Sequence, residues 1–364
     1  DITLKQQIQA SGSDGYIGNA SLYLVNNSFD KISNANGLNN LAIGGTDGAG
    51  KLSTIDYSSY SNINLNDTSI KYYLSLEGGI DIATGLSNNF IMYKHVTNTN
   101  PFIVSYLTTL DAYIQESDDS NVNSLSVKTM FGLSESTNIE TYDPIGTLTA
   151  NTSGQVTSAE TAYKENTYIS ILINELLIAG KSQTLIMDTV LTQYVNHNAS
   201  TFSDTLFLES VVDTIYPSPN EQTNFKINIG ILFATMDSLI TNDQYSGSTL
   251  ATEITKVKAS VGGLDLFSEL DSAAINAQIA SSVIGILAQP VFTTDPTVVN
   301  IETNTTTLTR VIGYSSEIEP TNSGLILPAY YNNYPTALTM TNIYVSATNT
   351  GTLTITYNNS SNAF

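Results

Sequence analysis

The sequence predicts an α+β protein of several domains: an N-terminal β-sandwich over residues 1–97, a helical domain over 98–289, and a β-rich segment over 290–364. Three observations predict this. The chain has 364 residues, more than one hydrophobic core usually organises. The period of its apolar residues changes from two to about 3.6 near Pro101. It returns near Pro290 to stretches dense in Thr, Val and Ile, the residues that favour strands.

In the N-terminal region, Ala20–Val25 (ASLYLV) alternates in hydropathy. Lys71–Gly78 (KYYLSLEG) alternates again, with Tyr73 and Leu74 or Leu76 as inner-face candidates, and Asn88–Val96 (NNFIMYKHV) is a further strand. Gly44-Gly45 and Asp47-Gly48 are turn signals. Short strands separated by turns every 8 to 15 residues are the pattern of a sandwich. From Pro101 the run PFIVSYLTTLDAYIQES places Ile103, Leu107, Leu110 and Ile114 on one helical stripe. NVNSLSVKTMFGL closes on Gly132, a C-cap residue. SAETAYKENTYISILINELLIAG opens with Ser158 and ends at Gly180, with cap chemistry at both ends. Four more runs complete a bundle of five to seven helices: SQTLIMDTVLTQYVNHN, NFKINIGILFATMDSLITN, GSTLATEITKVKASVGG and SAAINAQIASSVIGILAQ. After Pro290, PTVVNIETNTTTLTRVIGY and the hairpin-like LTMTNIYVSATNTGTLTITYNN read as strands, with Ile343 and Val345, and Leu353 and Ile355, each pair on one parity.

Composition narrows the function. Charged residues are 12% of the chain, about half the usual share, so its polar surface is built from neutral amides and hydroxyls. The balance is acidic, 33 Asp and Glu against 12 Lys and Arg, for a formal charge of -21. Arg310 is the one arginine. A chain so charged repels phosphate backbones and anionic membranes, and nucleic acid is excluded as a partner. With no cysteine there are no disulfides, thiolate metal sites or cysteine nucleophiles. No apolar run reaches 18 residues, so no membrane insertion is expected. The numbering opens on Asp1, which reads as a mature chain with its leader removed.

No catalytic constellation emerges. His95 and His197 are the two histidines, about a hundred residues apart and outside any H-E-x-x-H spacing. His197 ends a helix, where a cation suits the dipole. No Ser lies in a G-x-S-x-G elbow. Gly44–Leu52 lacks the phosphate-loop form, because Leu52 stands where Ser or Thr would hold magnesium, and it reads as a β-turn. Glu116, Asp118 and Asp119 read as a solvated acidic loop, with a cation site at a subunit contact as the alternative. Glu317 and Glu319 form a second acidic pair. A glycosidase needs two carboxylates at a set separation in an aromatic cleft, and this chain has no Trp. Catalytic, cofactor-binding and metal-binding residues are therefore assigned to none.

Two stretches resemble a known family. Asp14-Gly15-Tyr16-Ile17, then ASLYLVNN, then Thr46-Asp47-Gly48-Ala49-Gly50-Lys51-Leu52 are similar to the prealbumin-like, carboxypeptidase-regulatory-type β-sandwich of bacterial secreted surface proteins. Its usual form is D-G-Y-[IL]-x-G-A-x-V-x-L-D-x-N-x-N-G followed by T-D-x-x-G-x-[FY]. Leu107-Thr108-Thr109-Leu110 and Thr141-Tyr142-Asp143-Pro144-Ile145 then match, in order, phrases of the helical segment that often follows it. The resemblance covers residues 11–180 and implies an extracellular sandwich. The family's acidic loop resembles a calcium site. Here that region is LVNNSFDKISNANG, where Asp30 is the only carboxylate and Lys31 sits beside it, so a structural hairpin is expected, with weak calcium binding at most.

The expected function is an extracellular structural subunit, a homo-oligomer or polymer that self-assembles into a filament, sheath or surface layer by β-strand complementation. TGTLTITYNN is the preferred donor strand and DITLKQQIQA the second. The alternatives are an adhesin or glycan-binding cell-surface module, and a virion fibre or decoration protein. Tyr330, Tyr331, Tyr334 and Tyr344 form a cluster suited either to an interface or to strand packing. An enzyme is not expected.

Overall fold

The structure is a computed structural model; it describes residues 12–13, 16–52, 55, 58–60, 70–97, 102–150, 157–216, 219–242, 244–285 and 287. The chain divides into two units, Asp1–Thr293 and Thr294–Phe364. The second contains the expected C-terminal hairpin, its donor strand, the tyrosine cluster and Glu317 and Glu319, and lies outside the described residues, as does DITLKQQIQA.

The described part is mixed α and β, with helix well ahead of strand. Its strands are β1 (Gly12–Ser13), β2 (Ile17–Gly18), β3 (Ser21–Val25), β4 (Gly44–Gly45), β5 (Tyr73–Glu77), β6 (Ile80–Asp81), β7 (Met92–His95) and β8 (Val104–Ser105). They form a four-stranded antiparallel sheet, β4-β3-β5-β7, and two small ladders, β1 with β8 in parallel and β2 with β6 antiparallel. Where a sandwich of two stacked sheets is expected over 1–97, the described residues thus contribute one substantial sheet.

Register explains why that sheet is buried on both faces. Leu22 faces Leu76, Leu24 faces Leu74, and Leu76 faces Met92, so one face is aliphatic. The other carries Tyr73 and Tyr93, and Phe29 lies against it with its ring centroid 4.4 Å from Tyr93 and 5.4 Å from Tyr73. The region LVNNSFDKISNANG is accordingly a turn that inserts an aromatic plug. Asn26 Oδ1 accepts from the amides of Ser28 and Asp30 at 2.9 Å each, and Lys31 pairs with Glu77 at 2.7 Å.

Among the described residues ten α-helices follow: α1 (Tyr106–Gln115), α2 (Ser120–Asn123), α3 (Val127–Met130), α4 (Pro144–Ala150), α5 (Thr157–Ile178), α6 (Gln183–Asn196), α7 (Thr205–Ile215), α8 (Pro219–Ile240), α9 (Gly247–Ser260) and α10 (Ser272–Ser281). The bundle has more pieces than the expected five to seven. Two of them, α4 and α7, are absent from the sequence reading. The helix read from Pro101 starts later, at Tyr106, because Ser105 and Thr108 form a capping box there and Val104–Ser105 pairs with β1. Ser158 lies inside the first turn of α5 rather than before it. Gly132 and Gly180 do end their helices, at φ +64° and +82°, and Lys181 N–H donates to Leu176 O at 3.1 Å in a closing turn after α5.

Sheet and helices share one core. Phe90 stacks on Tyr106 of α1 at 4.6 Å, and Tyr113 of α1 lies 4.8 Å from Phe29. Strand β7 is closed along its outer edge by side chains. Tyr93 N–H donates to Thr109 Oγ1 at 2.8 Å, and Thr108 Oγ1 donates to Tyr93 O at 2.8 Å. Gln183 at the start of α6 accepts from Ile91 N–H at 2.8 Å and donates to Ile91 O at 2.7 Å. These groups occupy the backbone positions that an added strand would use.

Candidate functional site

The residues weighed from sequence have structural partners. His95 sits on β7, its ring centroid 5.3 Å from Tyr73, and burial together with the neighbouring Lys94 lowers its pKa. His197 is the C-cap of α6. In the acidic loop Asp118 and Asp119 are exposed, as expected, while Glu116 is half-buried. Glu116 accepts from the Tyr73 hydroxyl and pairs with Lys71 at 2.9 Å, and Asp119 caps α2 through the amide of Asn121 at 2.8 Å. Asp47 Oδ1 accepts from the amides of Ala49 and Lys51 at 2.8 and 3.0 Å, closing a turn over residues 47–51. Among the described residues no three His, Asp or Glu side chains come together as a metal site, and no helix is long and apolar enough to cross a membrane.

Burying an ionisable side chain is costly unless it is paired or hydrogen-bonded, so each such group calls for its partner. Lys94, on β7, donates to Glu140 Oε1 at 2.9 Å, Thr97 Oγ1 at 2.9 Å and His95 O at 2.7 Å. Glu165, on α5, accepts from Thr201 Oγ1 at 2.6 Å and Phe202 N–H at 2.8 Å. Asp81, on β6, accepts Lys258 Nζ from α9 at 2.7 Å on one oxygen and the amides of Ala83 and Thr84 on the other. Each of these is a satisfied structural group.

Glu175 is different. It is 8% exposed on α5, and among the described residues its carboxyl has no hydrogen-bond or ion-pair partner. Burial, with a smaller contribution from the charge of Asp265, raises its pKa to about 7. It lines a cavity of about 460 Å³. One wall is the α5 stripe Ser170, Ile171, Asn174, Glu175 and Ile178, one face of a helix by its three- and four-residue spacing. The opposite walls come from β6 and the turn that follows it, with Asp81, Leu86 and Asn88, and from the end of α9, with Lys258 and Val261.

Two more atoms on that α5 stripe lack partners. The Ser170 hydroxyl, on a residue with no exposed surface, makes no hydrogen bond, and neither does Asn174 Oδ1. The Asn174 amide nitrogen is used, donating to Tyr106 OH at 2.9 Å and Ser170 O at 3.0 Å, while its Oδ1 is enclosed with essentially no accessible surface. Unsatisfied buried polar atoms are rare in folded proteins. Here two of them lie within the packing of the helix that carries the unpaired Glu175 carboxyl. Sequence reasoning singled out none of these residues. The available signal was faint: polar Ser170, Asn174 and Glu175 on an otherwise apolar helical face.

The comparisons with known proteins add no relative: no family model matches the chain, and neither the curated proteins nor the solved structures contain a match.

Proposed function

We propose that this chain is a non-catalytic binding module of an extracellular surface protein, with its ligand in the cavity between α5, α9 and the turn after β6. The carrying observation is the Glu175 carboxyl, 8% exposed and without a partner among the described residues, at the wall of a cavity of about 460 Å³, a size that holds a small molecule. The extracellular setting rests on the resemblance of residues 11–180 to prealbumin-like surface proteins, with a sandwich in the N-terminal region. The low-charge, amide-rich composition agrees with it.

The test is a thermal-shift screen of the full chain against amines, amino acids, sugars and polyols, repeated on Ser87→Trp. Ser87 is exposed at the cavity wall, so the indole blocks the space with little effect on the core. A solute that raises Tm for the natural chain and not for the blocked variant supports the module. No shift from any class would sink it.

A second reading is the self-assembling structural subunit. It is favoured by the alternating sequence of TGTLTITYNN, which suits a strand donated to a neighbouring copy. Electron microscopy and light scattering, with and without millimolar calcium, decide it. Filaments or sheets that disappear when the last fifteen residues are deleted support the reading, and a monomer under all conditions overturns it.

A further inference from the structure

We infer that the cavity takes up an uncharged, mainly aliphatic molecule with one carbonyl or hydroxyl oxygen, which accepts a hydrogen bond from the neutral Glu175 carboxyl. The inference rests on the binding-module reading above and deepens it by naming the ligand class and the condition for its uptake.

The walls decide the class. Ile17, Leu86, Ile171, Ile178, Val261 and Leu264 line the space, and a hydrocarbon body placed among them leaves water. Ile178 and Ser87 are exposed as well as lining it, so the space has a mouth. The buried polar groups of the wall are mostly committed. Lys258 Nζ lies 2.7 Å from Asp81, whose other oxygen accepts from the amides of Ala83 and Thr84. Asn88 donates to Gly78 O at 3.0 Å and accepts from Phe90 N–H at 3.3 Å. Ser170 Oγ and Asn174 Oδ1 are enclosed in the packing and do not reach a guest. Glu175 keeps some accessible surface and, among the described residues, has no partner. It is the buried polar group of the wall with bonding capacity to spare.

Charge decides the condition. The Asp81 and Lys258 charges at the wall offset one another, and the other helices packed on α5 (α1, α4, α6 and α8) bring no residue to the cavity. Burial opposes ionisation of Glu175, and Asp265 in the loop before α10 adds a smaller repulsion, so its pKa stands at about 7. Below that pH the side chain is a carboxylic acid with one O–H donor, and the wall carries no net charge. The donor matches a ligand oxygen. Above that pH the carboxylate holds water in the space, and an apolar guest must strip water from a charge. An anion meets like charge from Glu175 and Asp265. A cation gains an ionised partner only at high pH, the opposite dependence. A guest that binds the acid form alone weakens roughly thirtyfold from pH 5.5 to pH 8.5.

Aliphatic ketones join the solutes of the thermal-shift screen, and isothermal titration of the full chain with 2-octanone tests the inference. Octylammonium chloride and sodium 1-octanesulfonate serve as charged solutes of the same chain length. Saturable binding of 2-octanone is expected at pH 5.5, at least tenfold tighter than either charged solute and at least tenfold weaker at pH 8.5. Glu175→Gln is neutral at every pH, so the difference between the two pH values is expected to vanish in it. Ser87→Trp is expected to weaken binding tenfold or more at pH 5.5, with circular dichroism confirming that both variants fold. Equal Kd at the two pH values in the natural chain, a pH dependence that survives in Glu175→Gln, or a charged solute bound as tightly as the ketone overturns the inference. Binding of a charged solute without the ketone, lost in Ser87→Trp, overturns it while leaving the module intact. No binding of any of the three means that the cavity holds only water, and then both readings fall.

Discussion

The hydroxyl of Tyr16 donates to Asp143 Oδ2 at 2.5 Å, joining two residues 127 positions apart. Tyr16 belongs to the Asp14-Gly15-Tyr16-Ile17 phrase and Asp143 to Thr141-Tyr142-Asp143-Pro144-Ile145. Two phrases far apart in the sequence thus meet in the fold. The other oxygen of Asp143 accepts from Gly146 N–H at 2.9 Å at the start of α4. Burial raises the Asp143 pKa, while the bonds from Gly146, Tyr16 and Ile145 oppose the rise.

Tyr16→Phe removes one of those opposing bonds and leaves the carboxylate buried with less support. A hydrogen bond to a charged group contributes about 1.5–3 kcal/mol, and a loss of that size is expected in urea denaturation at pH 8. The loss is expected to shrink as pH falls and the carboxyl takes up its proton, because a neutral carboxyl needs the donor less. A loss equal at all pH values would show that the hydroxyl matters through packing alone.

Lys258→Met leaves Asp81 buried without its cation, and breaking one side of a buried pair costs about 3–5 kcal/mol. The double variant Asp81→Asn, Lys258→Met is expected to be more stable than Lys258→Met alone. It buries no lone charge, and the Asn oxygen still accepts from the amides of Ala83 and Thr84. A double-mutant cycle by chemical denaturation measures the coupling.

Glu175 makes stability fall as pH rises. Its pKa goes from the ordinary glutamate value of 4.5 to about 7 in the fold, so between those values the folded chain binds more protons than the unfolded one. The contribution is fully present below about 4.5 and lost as pH passes 7, on the order of 2–3 kcal/mol. Denaturation curves from pH 4.5 to 8 are expected to flatten in Glu175→Gln. An unchanged pH slope would place the titrating group elsewhere.

Gly180→Ala and Gly132→Ala separate strain from collision. Both positions have positive φ, which costs an L-residue about 1–2 kcal/mol. A Cβ at Gly180 meets nothing within 4 Å, whereas one at Gly132 lies 2.8 Å from Thr161 Cγ2. The Gly132 variant is expected to lose roughly 1 kcal/mol more, the lower end of an overpacking cost. Equal losses would mean that Thr161 turns aside freely.

The strands β3, β5 and β7, the long helices α5, α6, α8 and α9, and the glycine stops at 132 and 180 were legible in the sequence. Each depends on local facts: a period of two or 3.6, or a cap residue at a fixed offset. The helix α7 was legible in principle, since Asp204 caps it at Phe207 N–H and Phe207, Leu208, Val211, Val212 and Ile215 form a buried stripe. It was missed because eleven residues rich in Leu and Val read equally well as a buried strand. The start of α1 was displaced by pairing between β1 and β8, a contact with residues ninety positions away.

The sequence by itself determined the acidic, cysteine-free, low-charge character of the chain and, among the described residues, most of the long elements and the passage from a β region to a helical one, because composition and periodicity are properties of neighbours along the chain. Only the tertiary structure decided that sheet and helices share one core, that Tyr16 reaches Asp143, and that Lys258 neutralises Asp81 from 177 positions away. It also decided that Glu175, among the described residues, goes without a partner at the wall of a cavity. Whether a polar side chain is satisfied depends on what packs opposite it, and in this chain what packs opposite α5 comes from β6, α9 and the turns beside them.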